Sequence, residues 1–233
     1  SVVVVGAGAA GLVAAIFASY LSTVTVIERT SDGGRKILIS GGGRCNVLPT
    51  ALEPDRFVTE SSSHLLRRML RDWPLTAQRK FFEHDVGVPV TLERETGKVF
   101  PSSGRAKDAR DGLVDLARRR GAQFVWDTSL EDLTPTLTGW RLRTSRGPID
   151  AQAVVLATGG LSVPQTGSDG VGITLAAKLG HLVHDTYPAL TPLVAETREH
   201  AGLSGLSLNV RLRAKWRGKT SEVSGGFLFT HRG

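Results

Sequence analysis

Val2-Val-Val-Val-Gly6-Ala-Gly8-Ala-Ala-Gly11, near the start of the chain, governs how the remainder folds. Val2–Val5 is a run of β-branched residues, the pattern of a parallel strand covered on both faces. A glycine turn comes next, then the helical stretch Ala9–Leu21, then a second run, Val24–Ile27, that ends at Glu28. Strand, turn, helix and strand make a βαβ unit. Each glycine in such a unit has its own mechanical role. Gly6 turns the chain out of the strand, Gly8 lets a diphosphate lie against bare backbone, and Gly11, with Ala14 and Ala15, brings the helix close to the sheet. The helix start offers unpaired N–H groups and a positive dipole end, and Ala9 and Ala10 keep that mouth open. Glu28, 17 residues after Gly11, can accept hydrogen bonds from ribose hydroxyls and would repel a 2′-phosphate. FAD or NAD is therefore expected rather than NADP. The glycine pattern alone is weak; a plain glycine-rich turn, however, leaves Glu28 without a purpose.

The segment after Glu28 bears on the choice between FAD and NAD. A simple NAD domain would reach its next helix and strand after a short loop. Here two glycine clusters, Gly33-Gly34 and Gly41-Gly42-Gly43, are interleaved with Arg35, Lys36 and Arg44 and read as one long loop. Successive glycines at positive φ can expose N–H groups as an anion nest, and these cations, with Arg29, could offset phosphate charge. Further on, Ser62–Trp73 has helical spacing with an N-cap among Ser61–Ser63, and Ala106–Arg120 reads as a surface helix stopped by Gly121. Phe124–Trp126 is expected as a third parallel strand and Trp140–Thr144 with its flanks as an antiparallel hairpin. Ala153–Ala157 is another buried strand, and Gly170–Leu179 a helix. Leu206–Trp216 and Phe227–Phe229 read as strands of a second region, with a boundary near residue 188.

Composition sets broad bounds. The chain has 233 residues, 40% hydrophobic and 22% charged, enough for a large soluble domain and part of another. The single cysteine, Cys45, permits no internal disulfide and fits a reducing, cytoplasmic setting. Val2–Leu21 is free of charge, but its glycines match the dinucleotide pattern, so no membrane span is expected. The net charge of +7 raises the question of nucleic acid. The cations look spread out, with runs at Arg67-Arg68 and Arg118–Arg120 on helix faces, and solvated helix surfaces are the preferred reading. Ser1 stands directly at the first strand and Phe227–Gly233 reads as a strand and turn leading onward, so a fragment of a longer protein is expected.

The stretch Gly34-Arg-Lys-Ile-Leu-Ile-Ser-Gly-Gly-Gly-Arg-Cys-Asn46 resembles the signature of the YhiN/BaiN-like flavoproteins, also described as aminoacetone-oxidase-like FAD-binding enzymes. Gly97–Arg105, Ala157–Gly160 through Pro164–Gly167, Leu190–Leu193 and Leu203–Ser207 match in the same order. The resemblance implies an α/β fold: a Rossmann-like, two-dinucleotide-type FAD-binding domain (residues 1–187) with a parallel sheet and an antiparallel β-hairpin. Residues 188–233 would begin an inserted, β-rich second domain, and a C-terminal segment completing the flavin pocket would be missing. It also implies FAD contacts at Gly6, Gly8, Gly11, Glu28, Ser40, Gly41, Gly42, Gly43, Arg44, Cys45, Asn46 and the turn Ala157, Thr158, Gly159, Gly160. Leu130 backbone would touch the adenine, and Asp169 and Gly170 would open another helix toward the flavin, although Asp169 and Ser168 could equally serve as helix caps. One departure stands out: the turn Tyr20–Thr23 is a residue short and lacks a glycine.

Other patterns fall away. Gly218-Lys-Thr220 imitates the end of a P-loop, but the glycine required five positions earlier is Arg213. Gly202–Leu206 lacks the last glycine of a nucleophile elbow. His181 and His184 have no clustered partners, so no metal is expected. The expected activity is that of an FAD-dependent oxidoreductase moving a hydride between the flavin and an unidentified small organic substrate or NADH or NADPH. Two alternatives remain: an NAD-dependent dehydrogenase with one Rossmann site, and a flavoprotein acting on RNA.

Overall fold

The computed structural model describes residues 1–57, 62–188, 191–194 and 199–230. It divides into two compact units, Ser1–Val183 and His184–Gly233. In the first, β1 (Val2–Val5) passes through the glycine turn into α1 (Ala9–Ala18) and β2 (Val24–Ile27). The short helix α2 (Arg35–Ile39) and the two-residue strand β3 (Leu48–Pro49) come after it. Next are α3 (Ser63–Asp72), α4 (Leu75–Lys80), β4 (Val90–Glu93) and β5 (Lys98–Pro101). Then α5 (Ala106–Arg119) leads to β6 (Gln123–Val125). A meander of β7 (Leu130–Thr136), β8 (Gly139–Thr144) and β9 (Gly147–Ala151) precedes β10 (Ala153–Leu156) and α6 (Val171–Lys178).

The central sheet is parallel, in the order β10-β1-β2-β6. Val5 stands level with Leu156 on one side and Ile27 on the other, so Gly6, Glu28 and Ala157 leave the same edge of the sheet. Strand alternation sends side chains to two cores. Val4 and Val26 pack with Leu12 and Ile16 of α1 and with Leu113 and Ala117 of α5. Val3, Val5 and Ile27 face Leu130, Leu133 and Leu142 of the meander and Leu175 of α6. Both faces are covered, which is why the valine runs contain no polar interruption. The antiparallel sheet β3-β5-β4 forms its own small cluster around Leu48, Val90 and Val99.

Three sequence expectations change in this unit. α1 ends at Ala18 rather than Leu21, because Leu21 is 92% exposed and off the packed face. The Ser19 hydroxyl donates to the Ala15 carbonyl at 2.8 Å, and the Leu21 and Ser22 amides turn back onto Ala18, which closes the short link to β2 without a glycine. The segment after Glu28 is not simply a loop: Arg35–Ile39 is helical, succeeded by a tight turn at Ser40–Gly43. α3 starts one residue after Ser62, whose side chain makes no capping bond; Ser61 and Leu190 lie outside the described residues.

In the second unit β11 (Ser207–Trp216) and β12 (Lys219–Leu228) pair antiparallel over their full length. Arg217 and Gly218 join them at φ 46° and 77°, the two-residue turn that matches strand twist. β12 begins well before Phe227, since pairing with β11 overrides the weak strand preference of its serines and glycines.

Leu142 is fully buried between the sheet and the meander. Leu142→Ala should therefore cost about 2–5 kcal/mol of stability, read from the midpoint of urea unfolding. A loss well under 1 kcal/mol would mean that the meander is not packed as described.

Candidate functional site

The glycines of the first turn are held for different reasons. Gly6 adopts φ 104°, and a Cβ there would lie 2.5 Å from the Ala157 carbonyl oxygen. At Gly11 a Cβ would sit 1.8 Å from the Gly6 carbonyl oxygen and 3.3 Å from the Ala157 Cβ. Gly11 thus packs on the turn itself and on the neighbouring strand end. Gly8 is another matter. Its backbone is extended (φ −77°, ψ −176°), open to any residue, and a Cβ would meet no atom of the described residues within 4 Å. It is the N-cap of α1 but makes no side-chain cap, and the first turn holds no acidic residue. A diphosphate fits this surface: bare backbone, a helix start and no acidic residue in the first helical turn.

Glu28 is buried and heavily engaged. One carboxylate oxygen accepts from the Ala7 amide at 2.7 Å. The other accepts from the Thr30 amide at 2.9 Å and the Thr30 hydroxyl at 2.8 Å. Its backbone carbonyl also receives the Thr128 amide at 2.8 Å. The carboxylate therefore clasps the glycine turn to the end of β2. Three of its roughly four acceptor positions are used by the protein. Sequence reasoning missed Thr30, whose only signal was a hydroxyl two places after the acid.

The cations singled out in the sequence are bound to the protein's own groups. Lys36 Nζ donates to the Ser162 carbonyl (2.6 Å), the Ser162 hydroxyl (3.0 Å) and the Ser168 hydroxyl (2.8 Å), all the donors an ammonium has. Arg29 donates to Asp169 at 2.5 Å and to the Gly167 carbonyl at 3.3 Å. Asp169 also accepts the Val171 amide at 3.2 Å, near the start of α6. The bond from Arg29 holds the Asp169 carboxyl below its ordinary range. Arg35 pairs with Asp32. Arg44 pairs with Glu93 at 2.8 Å and lies over the Phe100 ring. These side chains act as ties: Lys36 and Arg29 fasten the 162–169 segment to α2 and the end of β2. Ser162 and Ser168 carry no signal in the sequence that would single them out.

The structure gathers Gly6–Gly11, Glu28, Arg29, Lys36, Ala157–Gly160 and Asp169-Gly170 around the carboxyl ends of β1, β2 and β10. Close packing explains several of these positions. A Cβ at Gly159 would meet Ser168 at 2.8 Å, and one at Gly172 would meet Thr158 Oγ1 at 2.3 Å. Ser40–Asn46 meets β5 through Gly41 and Arg44. Gly41 and Gly42 are left-handed, and a Cβ at Gly41 would collide with Phe100 and the Asn46 amide at 2.9 Å. The Cys45 side chain is buried in the larger core, at φ 62°. Burial pushes its thiol pKa up, opposed by a hydrogen bond with Ser40. The Leu130 side chain lies in the core beneath the meander, two residues beyond the Thr128 amide bound to Glu28.

A parallel sheet backed by α1 and α5, roofed by an antiparallel meander and edged by this glycine turn, is a Rossmann-type FAD-binding fold. The chain belongs to the HI0933-like protein Rossmann domain family, which matches residues 1–230, in agreement with the resemblance carried by Gly34–Asn46. It is 28% identical over 214 residues to the 3-dehydro-bile acid delta(4,6)-reductase of Clostridium scindens, covering 91% of this chain and 51% of that protein. It is 27% identical over 235 residues to the ribosomal RNA dihydrouridine synthase of Escherichia coli, covering 99% and 57% respectively. The chain thus spans little more than half the length of these relatives. Among solved structures, the 3-ketosteroid-delta4-(5alpha)-dehydrogenase of Rhodococcus jostii RHA1 shares the fold, with a TM-score of 0.51, 19% identity, and 69% of this chain and 46% of that one covered.

The contrast between Gly11 and Gly8 is measurable. Gly11→Ala should cost about 3 kcal/mol or more, because backbone occupies the space of the new methyl. Gly8→Ala should alter the unfolding midpoint little. Equal losses would refute the described turn.

Proposed function

We propose that this chain is the dinucleotide-binding part of an FAD-dependent oxidoreductase that moves a hydride between the flavin and an organic substrate or NADH or NADPH. The observation that carries the reading is Gly8: an extended glycine at a helix start, with no atom of the described residues near the position of a side chain. Packing explains Gly6 and Gly11; a ligand explains Gly8. The amides at the start of α1, beside Ala9 and Ala10, would hold the diphosphate, and the remaining acceptor capacity of Glu28 would take a ribose hydroxyl. Backbone near Leu130 would meet the adenine. Ser40–Asn46, Ala157–Gly160 and Asp169-Gly170 would serve the rest of the cofactor, with Lys36 and Arg29 holding the 162–169 segment in position. When bound, FAD supplies the ring that accepts or gives up the hydride.

The family and its relatives support this reading. One relative is named a reductase and another a synthase of dihydrouridine, and both names denote hydrogen added to an unsaturated substrate. Residues 188–233 would begin an inserted domain. The single, buried cysteine accords with a cytoplasmic setting, and among the described residues no helix is long and apolar enough to cross a membrane.

A second reading, RNA as the molecule acted on, is favoured by the net charge of +7 and by the ribosomal RNA enzyme among the relatives.

Gently purified protein should be yellow and should bleach when NADH or NADPH is added without oxygen. A colourless protein that binds NAD saturably would select the single-site dehydrogenase instead. Gly8→Val should weaken FAD retention by at least about tenfold, or 1.4 kcal/mol, in equilibrium dialysis while leaving the unfolding midpoint nearly unchanged.

A further inference from the structure

The chain's net charge of +7 is concentrated in one element. Between Ser207 and Leu228 there are five cations, Arg211, Arg213, Lys215, Arg217 and Lys219, against the single carboxylate Glu222, a net +4. The other 211 residues share the remaining +3. The arginine run that closes α5 is partly spent, since Arg120 pairs with Asp85 and covers the Tyr20 ring.

Pairing sorts the hairpin into two unlike faces, because directly opposed residues of an antiparallel pair point the same way. Leu208 opposes Phe227 and Leu212 opposes Val223 on one face. Arg211 opposes Ser224, Arg213 opposes Glu222 and Lys215 opposes Thr220 on the other. The three cations therefore form a line, spaced by two residues of strand rise, or about 7 Å. That interval suits successive phosphates along an extended nucleic-acid strand. Glu222 sits 2.8 Å from Arg213 and 3.5 Å from Arg211, holding both while neutralising part of their charge. Lys215 has no ion pair among the described residues. At the tip Trp216, opposite Lys219 and on the face of Leu208 and Leu212, is 74% exposed with Arg217 over its ring. A regular row of cations at that interval fits a repeating anion such as a phosphate backbone.

We infer that the basic face of the β11–β12 hairpin binds the phosphate backbone of single-stranded RNA, with Arg211, Arg213 and Lys215 in line along it. The inference rests on the reading of RNA as the molecule acted on and assigns that reading a surface.

The test is fluorescence anisotropy of a labelled oligouridine with the full chain, across a salt series. Replacing Arg211, Arg213 and Lys215 by Gln should lower affinity at least about tenfold at low salt. It should also reduce the slope of log K against log salt by about 2, since each lost phosphate contact on a single strand removes roughly 0.7. Glu222→Gln should act in the opposite direction, raising affinity several-fold by releasing two guanidiniums; a merely structural role for Glu222 would not produce that gain. Circular dichroism and retained flavin identify any variant that has lost its fold, in which case Lys215→Gln alone, with about a third of the slope change, decides the matter. RNA binding that is indifferent to these changes would overturn the hairpin assignment and leave the RNA reading standing. No RNA binding at low salt would overturn both, and neither result touches the flavin reading. Displacement of RNA by poly-glutamate at equal charge would assign the face to acidic proteins and overturn the inference.

Discussion

A carbonyl oxygen occupies the place where any side chain at position 11 would have to go. That contact, Gly11 against the carbonyl of Gly6, fixes how closely α1 approaches the end of β1. The same turn abuts Ala157, so the first strand, the first helix and the last strand of the sheet are locked at one point. Backbone packed on backbone yields little, and a single methyl is felt there. The carboxylate of Glu28 completes the junction by gripping the Ala7 amide from the neighbouring strand. A turn braced on both sides presents its remaining surface, the start of α1, in a fixed position.

Electrostatics build on this frame in an order the sequence does not reveal. Lysine and arginine near a proposed phosphate site invite the idea that they face the phosphate. Here Lys36 and Arg29 instead bind Ser162, Ser168, Gly167 and Asp169. Their contribution is to hold a long segment against the sheet edge, which would leave the attraction for a phosphate to the dipole and amides of α1. Much of the net charge lies elsewhere, on a hairpin where Arg211, Arg213 and Lys215 share one face and Leu208 and Leu212 the other.

The parallel sheet was legible because its signal is local and strong: short valine runs, glycines at fixed spacing and an acid closing the second strand. α5 and α6 were legible for similar reasons, each having a clear apolar stripe and a glycine stop. The three-stranded sheet β3-β5-β4 was not. Leu48–Pro49 is only two residues long, and β4 alternates weakly, with two exposed positions among four; pairing rather than pattern makes these strands. α2 was hidden between glycine clusters, where composition argues for a loop. At the site, the positions of Gly6, Gly8, Gly11 and Glu28 could be read directly. The roles of Thr30, Ser162 and Ser168 could not, because a serine or threonine becomes informative only when its partner is known. In Ser40–Asn46, the most distinctive segment in the sequence, Gly41 and Arg44 meet Phe100 of β5, a neighbour that no linear motif records.

Cys45 has a practical consequence. The chain has one thiol, and it is enclosed in the main core with its ionisation suppressed. Thiol-directed reagents attack the thiolate at accessible positions, so burial slows their attack on this sulfur in the folded protein. The rate at which a thiol reagent modifies it then times the opening of the core, a clock of local unfolding that needs no introduced cysteine.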